Sequence, residues 1–196
     1  MDSNTTEIEK MIYIAFIRNV MIGREGLLQK TLTTIFERAG CENVKSYLST
    51  GNVSFNYFGD NIQLLATKLE SEIQKIIGRK EDVFIRDLDY LKAIKDNNYF
   101  SEGATLENVY ERCITFAADK IKCSFLLPVY SKRKDVELFK IVDSEAYSVT
   151  RLIDGRTSSA GKIIEKELDI RVTTRNWNTI DKIIDKLNSN NQTPTA

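Results

Sequence analysis

The sequence predicts an α+β fold made of two ferredoxin-like (split β-α-β) subdomains. Three observations carry that expectation. Strand-period and helix-period segments follow one another as β-α-β-β-α-β through the first half of the chain. A looser version of the same order recurs in the second half. Only two prolines, Pro128 and Pro194, occur in 196 residues, so little of the backbone is forced out of regular structure.

Ile12 to Ile17 is an unbroken apolar run, which suits a strand buried on both faces. Arg18 to Gly26 reads as a loop. Leu27, Leu28, Leu32, Ile35, Phe36 and Ala39 then recur at helical spacing, and Gly40 supplies the stop. Val44 to Leu48 and Asn52 to Tyr57 read as two strands joined at Ser49-Thr50-Gly51. Asp60 is the expected N-cap of a helix carrying Leu65, Leu69, Ile73, Ile76 and Ile77, with Gly78 ending it. A strand over Asp82 to Arg86 and a short helix over Leu88 to Lys95 complete the first half.

In the second half Arg112 to Ala117 is a strand. Asp119 to Tyr130 is poorly patterned and stands where a first helix would fall, although Ile121 to Tyr130 also fits a strand. Val136 to Val142 and Ala146 to Leu152 form a hairpin, and Ile163 to Leu168 a helix. Val172-Thr173 is a short strand before a last helix, on which Trp177, Ile180, Ile183, Ile184 and Leu187 share one face. The expected organisation is a polar extension over 1–10, a first subdomain over 11–96, a connector over 97–108, a second subdomain over 109–188 and a disordered tail over 189–196.

Composition excludes several function classes. Histidine is absent, which removes Ser-His-Asp and Cys-His catalysis and imidazole-ligated metals. Twenty-eight basic residues balance 28 acidic ones, a poor basis for nonspecific nucleic-acid or membrane binding, though a local basic patch can still do either. Cys41, Cys113 and Cys123 are far apart without C-x-x-C spacing, and Met1 to Lys10 lacks the basic and apolar regions of a signal peptide. No apolar run approaches the ~20 residues that span a bilayer. A cytoplasmic protein is expected, without metal or cofactor, and nothing indicates a homo-oligomer.

Four clusters are rich in hydroxyl, amide and guanidinium groups: Arg18-Asn19, Ser49-Thr50-Gly51-Asn52, Arg156 to Ser159 with Gly161-Lys162, and Thr173 to Thr179. The topology places Arg18 beside Ser49, Thr50 and Asn52, and Arg156 and Lys162 beside Arg175, Asn176, Trp177 and Asn178. Each cluster has a plain structural reading. Ser-Thr-Gly-Asn is turn chemistry, and Asn176 or Asn178 caps the last helix while Trp177 packs on the core. The functional reading is an anion site, because helix starts offer unpaired N–H groups beside Arg156, Lys162 and Arg175. Gly161-Lys162 is not a phosphate loop, since Ile163 stands where the hydroxyl residue belongs.

The pieces Ile14-Ala15-Phe16-Ile17-Arg18, Tyr47 to Phe55, Gly161-Lys162 and Thr173 to Thr179 resemble the bacterial proteins grouped as domain-of-unknown-function family 1697. The likeness runs from about Met11 to Leu187. It implies two ferredoxin-like subdomains and no established reaction. The family's usual Arg-Gly-Ile/Val-Asn-Val-Gly-Gly after the first strand keeps Arg18 and Gly23 here, but has Asn19, Met21 and Arg24 in place of glycine, asparagine and glycine. Its usual Ser-Lys-Leu is Gly161-Lys162-Ile163.

Three functions follow from these residues. The first is non-catalytic binding of a phosphate-bearing small molecule or nucleic acid through Arg18, Arg156, Lys162, Arg175 and Trp177, the last offering a stacking face. The second is a histidine-free, transferase-like enzyme in which Lys162 and Arg175 stabilise developing charge. The third is an architectural or protein-interaction domain.

Overall fold

A computed structural model of the chain describes residues 11–101 and 107–191. The expected extension 1–10, residues 102–106 of the expected connector and residues 192–196 of the expected tail lie outside the described residues. The first elements are β1 (Ile12–Ile17), α1 (Gln29–Arg38), β2 (Glu42–Tyr47), β3 (Asn52–Asn56), α2 (Ile62–Ile77), β4 (Val83–Asp87) and α3 (Leu88–Asn97). After a 3-10 turn at Tyr99–Ser101 come β5 (Glu111–Ala117), β6 (Val129–Tyr130), β7 (Val136–Val142), β8 (Glu145–Thr150), α4 (Ala160–Leu168), β9 (Val172–Asn176) and α5 (Trp177–Asn191). The protein is mixed α/β, with two antiparallel sheets and five α-helices among the described residues.

Two compact units are formed, one ending at Leu88 and the other beginning at Asp89. In the first, the strand order is β2-β3-β1-β4. Alternation along β1 sends Tyr13, Ala15 and Ile17 to one face, where Leu32 and Phe36 of α1 and Leu69 and Ile73 of α2 cover them. Ile14, Phe16 and Phe84 point the other way and are buried too, as the unbroken apolar run predicts. Gly40 (φ +97) and Gly78 (φ +74) supply the left-handed residues that close α1 and α2. The cap of α2 falls one residue later than expected. Asn61 Oδ1, not Asp60, accepts from the Leu64 N–H at 2.8 Å.

The second unit has the order β6-β7-β8-β5-β9. Leaving out the two-residue edge strand β6, this repeats the layout of the first sheet. Where a first helix would fall, the chain from Asp119 to Pro128 is irregular, and only Val129–Tyr130 pairs as a strand. Ile121 buries there against Leu138, Ala146, Ile164 and Val172, so an apolar plug fills the place of the missing helix. On the opposite face Phe100 packs with Phe139, Tyr147 and Trp177, and α5 lies along β5 and β9.

α3, which the sequence assigns to the first subdomain, is tied to the second unit. Tyr90 donates to the buried Glu145 carboxylate, and Lys95 pairs with Asp181 and Asp185 of α5 at 2.7 and 2.6 Å. α5 runs to Asn191, so residues 189–191, which the sequence assigns to the tail, are helical. No described helix is long and apolar enough to cross a membrane.

Gly51 shows how tightly the first unit is built. Its φ is +70, and a Cβ there would come 2.5 Å from Val20 Cγ2 and 3.1 Å from the Ile17 carbonyl oxygen. Gly78 shares the left-handed backbone but faces open space. Gly78→Ala should therefore cost only the left-handed penalty of about 1–2 kcal/mol. Gly51→Ala adds a backbone clash and should lower the thermal midpoint further. Equal midpoints for the two variants would contradict this packing.

Candidate functional site

The topology brings Arg18 and the Ser49 to Asn52 turn together. The Ile17 N–H donates to the Gly51 carbonyl at 2.8 Å, and the Ile22 N–H to the Ser49 carbonyl at 2.7 Å. Asn52, fully buried, uses its amide to close the turn, donating to the Tyr47 carbonyl (3.2 Å) and to Thr50 Oγ1 (3.0 Å). Arg18 pairs with the buried Glu81 at 3.0 Å. Arg79, which the sequence reading does not single out, is the hub of this edge. Its guanidinium reaches Glu81 (3.0 Å), Glu25 (2.8 Å) and the Asn19 carbonyl (2.8 Å). Polar groups here are spent on one another, and the turn reading accounts for Asn52.

The Thr173 to Thr179 stretch is half strand. β9 runs through Asn176, and the helix begins only at Trp177. Arg175 therefore directly precedes the Asn176 cap in the chain but belongs to the strand. It lies in the strand, buried, with Nη1 donating to Thr173 Oγ1 (2.7 Å) and the Thr174 carbonyl (2.9 Å). Burial pulls its pKa down to about 10, which still leaves the guanidinium charged at neutral pH. Asn176 accepts from the Asn178 N–H at 2.9 Å, capping α5, and donates to Glu111 at 3.0 Å. Trp177 packs against Phe100 with centroids 5.6 Å apart, while Asn178 is exposed.

Lys162 does not join Arg175. A Cβ on Gly161 would meet Thr174 Oγ1 at 2.7 Å, so α4 covers the face on which Thr174 and Thr115 bond at 2.8 Å. Neighbouring strand residues point to opposite faces. Arg175 shares the other face with Thr173.

Arg156 finds a different companion. It lines an open depression of about 450 Å3 with Arg133, Ile153 and Asp154. Arg133 Nη2 donates to the Ile153 carbonyl at 2.9 Å, and Ile153 and Arg156 close a small β-bridge. Beneath lies Asp135, with no solvent exposure. It accepts from Ser131 Oγ, from the Ser158 N–H (2.6 Å) and from Ser158 Oγ (2.8 Å). Its own carbonyl accepts from the Arg151 N–H at 2.7 Å. Burial works to raise the pKa of this carboxyl, but the bonds from Ser131 and Ser158 outweigh it and hold the group below the usual aspartate range. Arg133 could have been suspected from the run Lys132-Arg133-Lys134 beside a Ser-x-x-x-Asp turn. Of the partners of Asp135, only Ser131 is local, four positions before it, while Ser158 lies 23 positions after it and leaves no local signal.

Comparison with known proteins places the chain. The model of a family described as protein of unknown function (DUF1697) matches residues 11–147. The chain belongs to the DUF1697 family. The match includes the Tyr47 to Phe55 piece but stops before Thr173, so membership rests on the strands and turn of the first unit more than on the tryptophan stretch. The DUF1697 chain is also similar in structure to a conserved bacterial protein, SP0830, from Streptococcus pneumoniae. The TM-score is 0.62 at 20% identity, covering 91% of this chain and 99% of that one, which establishes the shared fold. No curated protein matches the sequence.

Two variants probe the second unit of this DUF1697 protein. Asn176→Ala removes a helix cap and should cost about 1 kcal/mol in denaturant melts. Asp135→Asn turns one of the two carboxylate oxygens into an NH2 donor, so that the bonds from Ser158 and from Ser131 cannot both be accepted, and should cost about 1–3 kcal/mol at neutral pH. The folded pKa of Asp135 is depressed, so its contribution is complete above the unfolded value of about 3.9 and is lost as pH falls through the lower folded one. The gap between parent and Asp135→Asn should therefore narrow below about pH 4. A gap of constant size down to the acid limit would show that ionised Asp135 holds nothing in place.

Proposed function

We propose that this protein is a non-catalytic module that binds a phosphate-bearing ligand, a small molecule or a nucleic acid, at the Arg133–Arg156 depression of the second unit. One observation carries the reading. Two guanidinium groups line one open depression, and Asp154 lines it too without an ion pair to either among the described residues. Gathered like charges are relieved by an anion. Arginine forks match the oxygen geometry of a phosphate. The loops carrying them are held by Asp135 rather than left to order on binding, which lowers the entropic cost of capture.

The enzymatic alternative has less support, since Lys162 and Arg175 lie on opposite sides of a sheet and cannot share one developing charge. For Thr173 to Thr179 the architectural reading is favoured by the Asn176 cap and the Trp177–Phe100 contact. We also read each unit as a ferredoxin-like subdomain, supported by the matching antiparallel orders β2-β3-β1-β4 and β7-β8-β5-β9. A cytoplasmic location belongs to the same reading and agrees with three free thiols.

Thermal melting with inorganic phosphate, phosphosugars, nucleotides and short RNA tests the proposal. A ligand present at about 100 times its Kd should stabilise the fold by about 2.7 kcal/mol. The effect should disappear in the Arg133→Ala/Arg156→Ala double variant. A flat melting temperature across the whole panel would sink the reading. For an oligonucleotide, binding should also weaken with salt in proportion to the phosphates contacted.

A further inference from the structure

A second depression, of about 510 Å3, is lined by Glu107, Asn108, Tyr130, Lys134, Glu137 and Arg151. The two meet along the chain. Arg133 and Lys134 are consecutive, about 3.8 Å apart at Cα, yet each lines a different depression. Arg151 and Ile153 are divided in the same way. The turn that carries Arg133 and Lys134 and the segment from Arg151 to Arg156 therefore border both depressions.

The chemistry of the second depression differs from that of the first. Arg151 and Glu137 pair at 2.8 Å, and Arg151 Nε also donates to the Glu107 carbonyl at 3.3 Å. That pair is a satisfied wall. Four groups are without a hydrogen-bond or ion-pair partner among the described residues: the Tyr130 ring, 48% exposed, the Asn108 amide, the Lys134 ammonium and the Glu107 carboxylate. Lys134 and Glu107 form no ion pair with each other among the described residues. Lys134 and Arg151 balance Glu107 and Glu137, so a second phosphate gains little there. A cation is repelled by Lys134. A flat, neutral group with a hydrogen-bonding edge fits: Tyr130 offers a π-face, Asn108 a donor and an acceptor, and Glu107 an acceptor for an amino group.

We propose that this depression is a nucleobase subsite, so that the phosphate-bearing ligand is a nucleotide, free or as one unit of a single strand. The inference rests on the arginine site proposed above and adds the class of ligand. Stacking on Tyr130 supplies the affinity that phosphate alone lacks, in a manner tolerant of base identity.

Calorimetric titration of the full chain with inorganic phosphate, ribose 5-phosphate, nucleoside 5′-monophosphates and tetranucleotides tests it. The monophosphates should bind about tenfold or more tighter than ribose 5-phosphate, the range that one base–aromatic stack provides. Tyr130→Ala should erase that margin while leaving ribose 5-phosphate binding intact, and Tyr130→Phe should restore it. Arg156→Ala should weaken every probe. Equal affinities for ribose 5-phosphate and the nucleotides in the parent, or an undiminished margin in Tyr130→Ala, would overturn the base subsite and leave the arginine site standing. Failure of every phosphorylated probe to bind would overturn both. Within a positive result, tighter binding of tetranucleotides than of monophosphates identifies a single strand as the source, and equal binding identifies a free nucleotide.

Discussion

Asp135 is a charge without solvent, and a charge in that position survives only if its surroundings donate to it. Here the donors come from two loops that the sequence separates widely, Ser131 before β7 and Ser158 before α4. The carboxylate therefore does more than satisfy itself. It sets the distance between the loop that carries Arg133 and Lys134 and the turn that carries Arg156, and its carbonyl adds the strand end at Arg151. The loop and the turn line the first depression of the second unit, and the loop and the strand end line part of the other. Their shape is thus a consequence of one buried hydrogen-bond network.

β9 illustrates how closeness in sequence and closeness in space part company. Thr174 and Arg175 are adjacent, yet the two-residue period of a strand sends one toward α4 and the other to the face that α5 covers. A stretch that looks like one concentration of polar groups is in fact divided among a strand hydroxyl pair, a buried guanidinium and a helix cap. Those three roles are each common in folded proteins, and together they explain the composition without a ligand.

Most of the architecture was legible because it follows from period and punctuation. β1 shows its double burial in an unbroken apolar run, and Gly40 and Gly78 mark helix ends by requiring a backbone that other residues resist. The partnership of Arg18 with the Ser49 to Asn52 turn also followed from topology. What could not be read were choices made by tertiary contacts. Asn61 rather than Asp60 caps α2 because the chain enters one residue later. β9 extends to Asn176 because β5 offers ladder partners as far as Cys113, overriding the helix-like signal of the Trp177 stretch. α3 joins the second unit through Tyr90 and Lys95, side chains whose partners lie 55 and 90 positions away. Arg133 and Asp135 belong to the same class, their meaning set by residues from another loop.

The loop after β1 has one more lesson. Asn19 stands where the family resemblance drawn from the sequence implies a glycine, and its φ is +47. Asparagine is among the few residues with a Cβ that enter this left-handed region readily, and the Asn19 carbonyl is then gripped by Arg79. The choice of residue at position 19 is correspondingly narrow. Glycine, asparagine and aspartate enter this backbone region readily, whereas a β-branched side chain there is strained. A residue with a side chain can thus hold a left-handed loop position that glycine would also fill, and offer its carbonyl to a charged neighbour at the same time.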